Sequence, residues 1–258
     1  MYNLLTIFNE DYKVSKLARK NYDITLLQLK STSSYLKNLE QLLEYIKENQ
    51  DSDLIMAPEV YLTAYDYDNF EEAIAFYDIA MEAILPLIST QILVFTIIRE
   101  EDNRIVNQAV VIHNHKVVYK QNKYKLFKIG DEHRYFEAGE IEEIKHFNIN
   151  GVSYALIICF ELRFKEIWKR LEGVDIVLIP AMWGRARKKH LEVLSQALAV
   201  MNQSFVIVCN SANDDMASSS SIISPWCDVI MDDGAKSISY TIDLKKVKKV
   251  RRLIPMSF

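Results

Sequence analysis

Two residues that follow predicted strands, Cys159 and Glu59, carry side chains that could take part in catalysis. Cys159 ends the apolar run YALII and precedes the helix-like segment ELRFKEIWKRLEG, and Glu59 follows DLIMA and Pro58. In open α/β sheets functional groups gather at the carboxyl ends of strands, so a site would form at these positions. A thiol just before the amino end of a helix can lose its proton more easily, which makes Cys159 a candidate nucleophile.

Each candidate also has an ordinary structural explanation. A free cysteine such as Cys159 is commonly a small buried hydrophobic residue. Lys123 lies in YKQNKYKLF, which on its own is equally well a solvated basic loop. Glu59 is harder to explain in this way, because a carboxylate directly after a buried strand needs a partner. The residues alone therefore leave the roles of Cys159 and Lys123 open.

Short apolar runs rich in β-branched residues alternate with segments of helical spacing along the chain. Such runs predict strands, several of them apolar on both faces. The predicted strands are Ile24–Leu29, Asp53–Ala57, Ile92–Ile98, Ala109–His113, Val152–Ile158 and Asp175–Ile179. Strands without a polar face need cover on both sides, and the pair AVVI and KVVY around His113–Lys116 predicts a hairpin. We therefore predict an α/β layered sandwich with mixed sheets.

Apolar residues at helical spacing predict three helices that could provide this cover. Their stripes are Leu36, Leu39, Leu43 and Ile46; Leu191, Leu194, Leu198 and Met201; and Leu244, Val247, Val250 and Ile254. The first stripe follows Thr32–Ser34, which can cap a helix. The third lies in the basic segment KKVKKVRR, whose lysines would then be solvated.

The composition excludes several classes of protein. The 258 residues carry 31 Lys+Arg against 35 Asp+Glu, a net charge of −4, so no global basic field attracts nucleic acid. No two of the six glycines lie close enough to form a dinucleotide fingerprint, a P-loop or a nucleophile elbow. The three scattered cysteines indicate a reducing compartment, and acidic residues interrupt MYNLLTIFNEDYK where a signal peptide would be apolar. We therefore expect a cytoplasmic protein with no membrane partner.

Three segments, taken together, resemble the nitrilase superfamily of carbon–nitrogen hydrolases. They are IMAPE, NKYKLF and LIICFELRF, in this order and at these separations, and the resemblance extends from about Ile24 to near the end of the chain. The run KYKLFKIGDEHRYFEAG is similar to the amidase branch that acts on ω-monoamides of dicarboxylic acids. The resemblance implies a four-layer α-β-β-α sandwich that hydrolyses a small amide and releases ammonia. It implies neither a metal nor an organic cofactor.

The resemblance also implies a role for each candidate residue. Cys159 would be the nucleophile that forms a thioester acyl-enzyme, and Glu59 the general base. Lys123 and the backbone N–H of Phe160 would stabilise the oxyanion, and Glu132 would position the hydrolytic water or Lys123.

Four further residues are candidates for substrate contacts. Trp183 is compatible with a pocket wall or with ordinary core packing, and Tyr65 is placed at the entrance to the site. Arg185 or Arg187 could bind a substrate carboxylate through two parallel hydrogen bonds, and at least one of the two is expected in a solvated loop.

Other functions stay open at this stage. An N-carbamoyl amino acid hydrolase would release carbon dioxide together with ammonia. His113 and His115 could form a metal-binding pair, although a hairpin tip explains them better. Lys245–Arg252 could bind nucleic acid, and the chain could be a catalytically silent scaffold.

One domain is expected, because no linker or repeat divides the chain. We assign it to residues 23–258 and treat residues 1–22 as an N-terminal extension, either an ordered arm on a partner subunit or a frayed end. The expected partners are a small amide substrate and a second copy of the chain, in a homodimer or higher homo-oligomer.

Overall fold

Two six-stranded mixed sheets form the centre of the fold, as seen in a computed structural model that describes residues 21–256. The first sheet has the order β12-β1-β2-β3-β4-β5 and the second the order β11-β10-β9-β8-β7-β6. The strands are β1 (Asn21–Leu27), β2 (Leu54–Met56), β3 (Ile92–Glu101), β4 (Arg104–His113), β5 (Lys116–Asn122), β6 (Phe147–Ile149), β7 (Val152–Leu156), β8 (Ile176–Ala181), β9 (Phe205–Asn210), β10 (Ser221–Ile223), β11 (Val229–Met231) and β12 (Ser237–Asp243). In each sheet two parallel pairings are combined with antiparallel pairings, so both sheets are mixed.

Helices cover the outer faces of both sheets. They are α1 (Tyr35–Glu48), α2 (Phe70–Ile84), α3 (Glu132–Tyr135), α4 (Lys165–Arg170), α5 (Lys188–Asn202) and α6 (Lys245–Leu253). Helices α1 and α2 pack on the first sheet, and α4 and α5 pack on the second. None of the helices within residues 21–256 is long and apolar enough to cross a bilayer.

Alternation along the short strand β2 shows how the layers are built. Leu54 and Met56 join the core between the two sheets, whereas Ile55 points the other way and joins the core beneath α1 and α2. All three side chains are fully buried, as the two-sided apolar runs predict. The predicted α/β sandwich with mixed sheets is confirmed, with layers in the order helix, sheet, sheet, helix.

The three predicted helices are present, but their buried faces differ in part from the predicted stripes. Helix α1 is capped by the Ser34 side chain as predicted, yet Leu36 is 58% exposed, because Tyr35 and Leu42 fill the core on a face rotated by one residue. Met201 on α5 is 54% exposed, since the last turn buries Asn202 instead. Ile254 lies beyond α6 and is also exposed.

Strand boundaries differ from the predicted ones by a few residues. The first strand begins at Asn21, so residues 21 and 22 of the predicted extension belong to the sheet, and residues 1–20 lie outside the described part. The predicted hairpin is present between β4 and β5, and Asn114 and His115 at its tip both have positive φ angles. Strand β7 ends at Leu156, and Ile157 and Ile158 connect it to the 3₁₀ turn that begins at the nucleophile candidate, Cys159.

Candidate active site

Glu59 lies in a strained turn that follows β2 and is held by both sheets. Its backbone N–H donates to the carbonyl of Ala181 at the end of β8, 3.3 Å away. The next residue, Val60, has φ of 42°, and its N–H donates to the hydroxyl of Thr96 on β3 at 2.8 Å. A β-branched residue in the left-handed region is strained, so these surrounding bonds fix the turn. The turn directs the carboxylate of Glu59 into the space between the sheets.

Lys123 follows β5 and is fully buried. Its N–H donates to the carbonyl of Asn107 on β4, and its carbonyl accepts from Gly139 at 2.9 Å. A Cβ atom at Gly139 would lie 2.5 Å from the carbonyl oxygen of Asn122, so this close approach requires glycine. Two flanking strands and one close backbone contact therefore fix Lys123.

Cys159 begins a 3₁₀ turn, Cys159–Arg163, after β7 in the second sheet. Its φ is 46°, a conformation that only the surrounding structure can maintain in a residue with a side chain. Helix α4 begins only at Lys165, so Cys159 does not lie directly at the amino end of an α-helix as predicted. The local turn, rather than a helix, holds the thiol at the sheet edge.

The two oxygens of the Glu59 carboxylate have different environments. Oε1 accepts hydrogen bonds from the Tyr65 hydroxyl at 2.6 Å, the Lys123 ammonium at 2.7 Å and the Asn107 amide at 2.9 Å. Among the described residues, Oε2 accepts only from the backbone N–H of Met182, at 3.0 Å. Since a carboxylate oxygen has two lone pairs, Oε1 is saturated and Oε2 is the oxygen that can receive a proton.

Lys123 lies between two carboxylates, and this arrangement governs its charge. Its Nζ is 2.7 Å from Glu59 Oε1 and 2.7 Å from Glu132 Oε1, with a longer contact of 3.2 Å to the Tyr65 hydroxyl. Burial alone would lower the pKa of the ammonium group, but the two carboxylates outweigh it and raise this pKa. Lys123 therefore remains charged in the interior.

Burial has the opposite effect on Glu132 and on the thiol. It raises the pKa of the Glu132 carboxyl, although Lys123 partly offsets this. It also raises the pKa of Cys159, and the neighbouring Glu59 carboxylate adds to the shift. The helix effect considered from the sequence therefore does not dominate at Cys159, and the thiol needs a base to accept its proton as it attacks.

A cavity of about 340 Å³ opens onto the Cys159 thiol. Its wall includes the three acidic residues Glu59, Glu132 and Asp215, together with Phe160 and Trp183. The backbone N–H of Phe160 forms no hydrogen bond with any residue that the structure describes. That volume falls in the range of small-ligand sites.

The predicted substrate contacts are only partly found at the cavity. Trp183 forms its wall, with the indole N–H donating to the Arg187 carbonyl at 2.8 Å. Tyr65 also lines the cavity, and its hydroxyl donates to the Glu59 carboxylate. Arg185 is exposed and does not line the cavity, since its short turn directs it to solvent. Arg187 of the same turn does line it.

Arg163 and Arg187 place two guanidinium groups on this cavity. Arg163 stacks over the Trp183 ring at 4.6 Å and Arg187 over the Phe127 ring at 5.1 Å. Within residues 21–256 neither arginine forms an ion pair. The Arg163 guanidinium is hydrogen-bonded to Nδ1 of His190 at 3.0 Å. Burial lowers the pKa of Arg163, and the charge of Arg187 lowers it further. An anionic ligand would relieve this repulsion.

Comparison with known proteins decides which family this site belongs to. The model of a family described as carbon-nitrogen hydrolase matches residues 23–252. The chain belongs to this family. As a carbon–nitrogen hydrolase it shares the nitrilase-superfamily fold, which confirms the resemblance found in the sequence.

Individual relatives of this carbon–nitrogen hydrolase have related names. The chain is 29% identical over 238 residues to the 2-oxoglutaramate amidase of Bacillus subtilis, covering 87% of this chain and 90% of that protein. The carbon-nitrogen hydrolase structure from Helicobacter pylori G27 superimposes with a TM-score of 0.82 at 16% identity, over 92% of this chain and 94% of that one. An E41Q mutant of a Nesterenkonia amidase carries acrylamide added at its active site cysteine; its TM-score is 0.76 at 18% identity, over 90% of this chain and 98% of that one.

Several residues at the site of this carbon–nitrogen hydrolase were not predicted from its sequence. Asn107 interrupts the apolar run of β4 and donates to both Glu59 and the Tyr65 hydroxyl. A buried amide in the middle of a strand is the signal that could have identified it. Arg163 and the N–H of Met182 had no such signal, because their roles depend on how separate loops meet.

No metal site accompanies these groups in the described part of the carbon–nitrogen hydrolase. Among those residues there is no cluster of three or more His, Cys, Asp or Glu side chains arranged to hold an ion. His113 and His115 instead bond to backbone carbonyls of Gln91 and Leu85 near the hairpin tip.

Proposed function

We propose that this protein hydrolyses a small amide through a thioester on Cys159. The observation that carries the proposal is the buried Glu59–Lys123–Glu132 cluster, with 2.7 Å contacts from the ammonium to both carboxylates, beside a thiol on the same cavity. Such a set combines a nucleophile, a base and a fixed positive charge. The amidase names of the relatives support the same reaction.

In the first half of the reaction, Cys159 Sγ forms a bond to the amide carbonyl carbon while its proton passes to Glu59 Oε2. The carbonyl π electrons move to oxygen, and this oxyanion accepts from the free N–H of Phe160. It also replaces the Tyr65 hydroxyl as the third acceptor of Lys123, the weakest of the three contacts. The C–N bond then breaks, the nitrogen takes the proton from Glu59, and ammonia leaves.

In the second half, water attacks the thioester carbonyl and gives a proton to Glu59. The C–S bond breaks, the sulfur leaves with the electron pair and takes the proton back from Glu59, and the carboxylic acid is released. Glu132 keeps Lys123 in place through Oε1 and holds the Phe127 N–H through Oε2 at 2.9 Å. In this scheme Glu132 orients the lysine and one wall of the cavity rather than exchanging a proton.

We further propose that the preferred substrate carries a carboxylate at the end opposite the amide. Arg163 and Arg187 face the same cavity as the thiol and have no ion-pair partner among the described residues. A carboxylate bridging them would be held by charge-assisted hydrogen bonds. The relative named 2-oxoglutaramate amidase is named for such a compound, a five-carbon acid with an amide at the far end.

A panel of substrates tests both parts of this proposal. The protein should release ammonia from 2-oxoglutaramate and glutaric acid monoamide, and kcat/KM for pentanamide should be about 10- to 100-fold lower, because the arginines lose their ligand. Arg187→Leu should remove most of that difference by raising KM for the acidic amides. Arg185→Leu is the matched control and should change little, since its side chain is exposed.

The same assay separates the alternative functions. Carbon dioxide released together with ammonia from an N-carbamoyl amino acid, at a higher kcat/KM than from the monoamides, would identify a carbamoyl hydrolase instead. Absence of turnover on every member of the panel would favour the scaffold. An equal preference for pentanamide and the acidic amides would contradict the carboxylate proposal alone.

We also propose that the protein forms a homodimer or higher homo-oligomer through the exposed face of α5. Val193, Val200 and Met201 on this helix are exposed apolar residues, and the exposed Trp226 lies in the loop beside the Cys227–Gln196 contact. Such a patch is typical of an interface. Light scattering should give at least twice the mass of the chain, and Val200→Glu should reduce the mass to that of a monomer; a monomeric parent would contradict the proposal.

The cytoplasm is the compartment that we propose. All three cysteines of the chain are free, and Cys227 is exposed. A reducing environment keeps exposed thiols and the thiol of a cysteine enzyme in the reduced state.

A further inference from the structure

The buried carboxylate of Glu161 joins the loop that carries Cys159 to the loop that carries Lys123. Its Oε2 accepts from the N–H of Ile158 at 2.6 Å, and its Oε1 accepts from the N–H of Tyr124 at 2.6 Å. Ile158 directly precedes the nucleophile, and Tyr124 directly follows the lysine. One side chain therefore links the end of β7 in the second sheet to the end of β5 in the first.

Glu161 is not part of the reaction scheme above, and its hydrogen bonds favour the ionised carboxylate. The residue is fully buried and forms no ion pair with any residue in the described range. Besides the two short bonds, a longer one of 3.4 Å comes from the N–H of Lys125. The two oxygens of Glu161 thus accept from three backbone N–H donors. Hydrogen bonds of this kind favour the ionised form of a carboxyl group.

We propose that the Glu161 carboxylate is a positioning residue that holds the nucleophile in register with the oxyanion-binding lysine. The backbone N–H of Glu161 donates to the Ile158 carbonyl at 3.0 Å and closes a turn. Phe160 lies inside this turn, next to Cys159. The unpaired N–H of Phe160 is thereby oriented together with the thiol. The inference rests on the proposed roles of Cys159 and Lys123.

Protonation would weaken this link. A protonated carboxyl has one oxygen that donates, so it cannot accept from both loops with the same strength. Burial raises the pKa of Glu161 to about 7, and the N–H donors of Ile158 and Tyr124 limit that rise. The charge of Lys123 also lowers the pKa of Glu161, and the Glu161 carboxylate in turn raises the pKa of Tyr119. The carboxylate, and with it the link, is therefore favoured as the pH rises through about 7.

Glu161→Gln tests the link, because glutamine has the same shape as the protonated acid. Alkylation of Cys159 by iodoacetamide, followed by peptide mass spectrometry, reports the position of the thiol without any substrate. We expect the alkylation rate and kcat to fall on the order of 10- to 100-fold, with KM changed much less, since one charged hydrogen-bond acceptor is lost. The alkylation rates of parent and variant both rise with pH, because iodoacetamide reacts with the thiolate. The effect of Glu161 is therefore measured by the ratio of the parent rate to the variant rate, which should increase as the pH rises through about 7.

Glu143→Gln is the matched control. The Glu143 carboxylate also accepts from two backbone N–H groups, those of Asn122 at 2.8 Å and Glu140 at 3.0 Å, but it does not bond the loop of Cys159. This variant should keep the alkylation rate and its rise with pH. Glu161→Asp retains the charge on a shorter side chain, so its alkylation rate should lie between those of the parent and Glu161→Gln, with the pH dependence of the parent. If Glu161→Gln does not fold, Glu161→Asp is compared with the parent instead.

Two outcomes would overturn the inference. One is a parent-like alkylation rate and pH profile in Glu161→Gln; the other is an equal loss in Glu143→Gln. Either result can occur with amide hydrolysis intact, which separates failure of this link from failure of the proposed function. If no amide is hydrolysed at all, the alkylation comparison still decides whether Glu161 positions the thiol.

Discussion

Cys159→Ala should abolish ammonia release while leaving the protein folded. The thiol is the nucleophile of the proposed reaction, and loss of a nucleophile costs on the order of 10⁴-fold or more in kcat. The side chain is small and lines a cavity, so the free energy of unfolding should change by about 1 kcal/mol or less. Ammonia release and circular dichroism, measured on the same sample, check the two halves of this result.

Cys209→Ala is the matched control for that variant. Cys209 is also buried, but its thiol donates to the carbonyls of Leu27 and Met56, between the sheets and away from the cavity. It should retain turnover and lose some stability. Mass spectrometry of the parent with a slow monoamide should find an acyl group on the peptide that contains Cys159; normal ammonia release by Cys159→Ala would rule out the nucleophile assignment.

Lys123→Met should be the most damaging single change for stability as well as for activity. It leaves the carboxylates of Glu59 and Glu132 buried without a cation, and breaking such a buried pair costs about 3–5 kcal/mol. Burial already raises the pKa of Glu132, and without the offsetting charge of Lys123 this carboxyl would bind a proton more tightly in the folded than in the unfolded protein. Stability of the variant should therefore be greatest at acid pH and fall as the pH rises above the ordinary carboxyl range.

A double variant separates the structural from the catalytic effect of Lys123. Lys123→Met combined with Glu132→Gln removes one negative charge with the positive one, so urea unfolding should show much of the lost stability restored. Turnover should stay absent, because no ammonium group is left to stabilise the oxyanion. Lys120→Met is the surface control: that lysine is more than half exposed beside Glu101 and should tolerate the change. Recovery of turnover in the double variant would contradict the role of Lys123.

The main elements of the fold could be predicted from the sequence because burial leaves a periodic pattern. The two-sided strand β2 and the Ser34 cap of α1 are examples, and both follow from local chemistry. That Leu36 and Met201 are exposed could not be predicted in this way. Which side of a helix is buried depends on how neighbouring elements fill the core, and tyrosine or asparagine can occupy the place of leucine.

The candidate site was predictable where a strand end carried an unusual residue. Glu59, Lys123 and Cys159 each follow a strand. In the fold Glu59 and Cys159 line the cavity, and Lys123 bonds the Glu59 carboxylate. Arg163 was not predicted as a site residue. Its place at the cavity depends on the contact between the 3₁₀ turn that it ends and the indole of Trp183, which lies in another loop. No spacing rule predicts a contact made by two irregular segments.

The protonation of the thiol was also beyond the reach of the sequence. A position just before a helix-like segment predicts a lowered pKa for Cys159, whereas burial beside Glu59 raises it. The difference arises because desolvation depends on the complete packed environment. Only the folded cluster shows which of the two effects dominates.

The return of β12 to the first sheet has a consequence for synthesis of the protein. Strand β1 pairs on one side with β12, whose residues come more than 200 positions later in the chain. As the polypeptide leaves the ribosome, that edge of β1 stays open until more than 200 further residues have been synthesised. Completion of the first sheet should therefore come late in folding, after the second sheet has been synthesised.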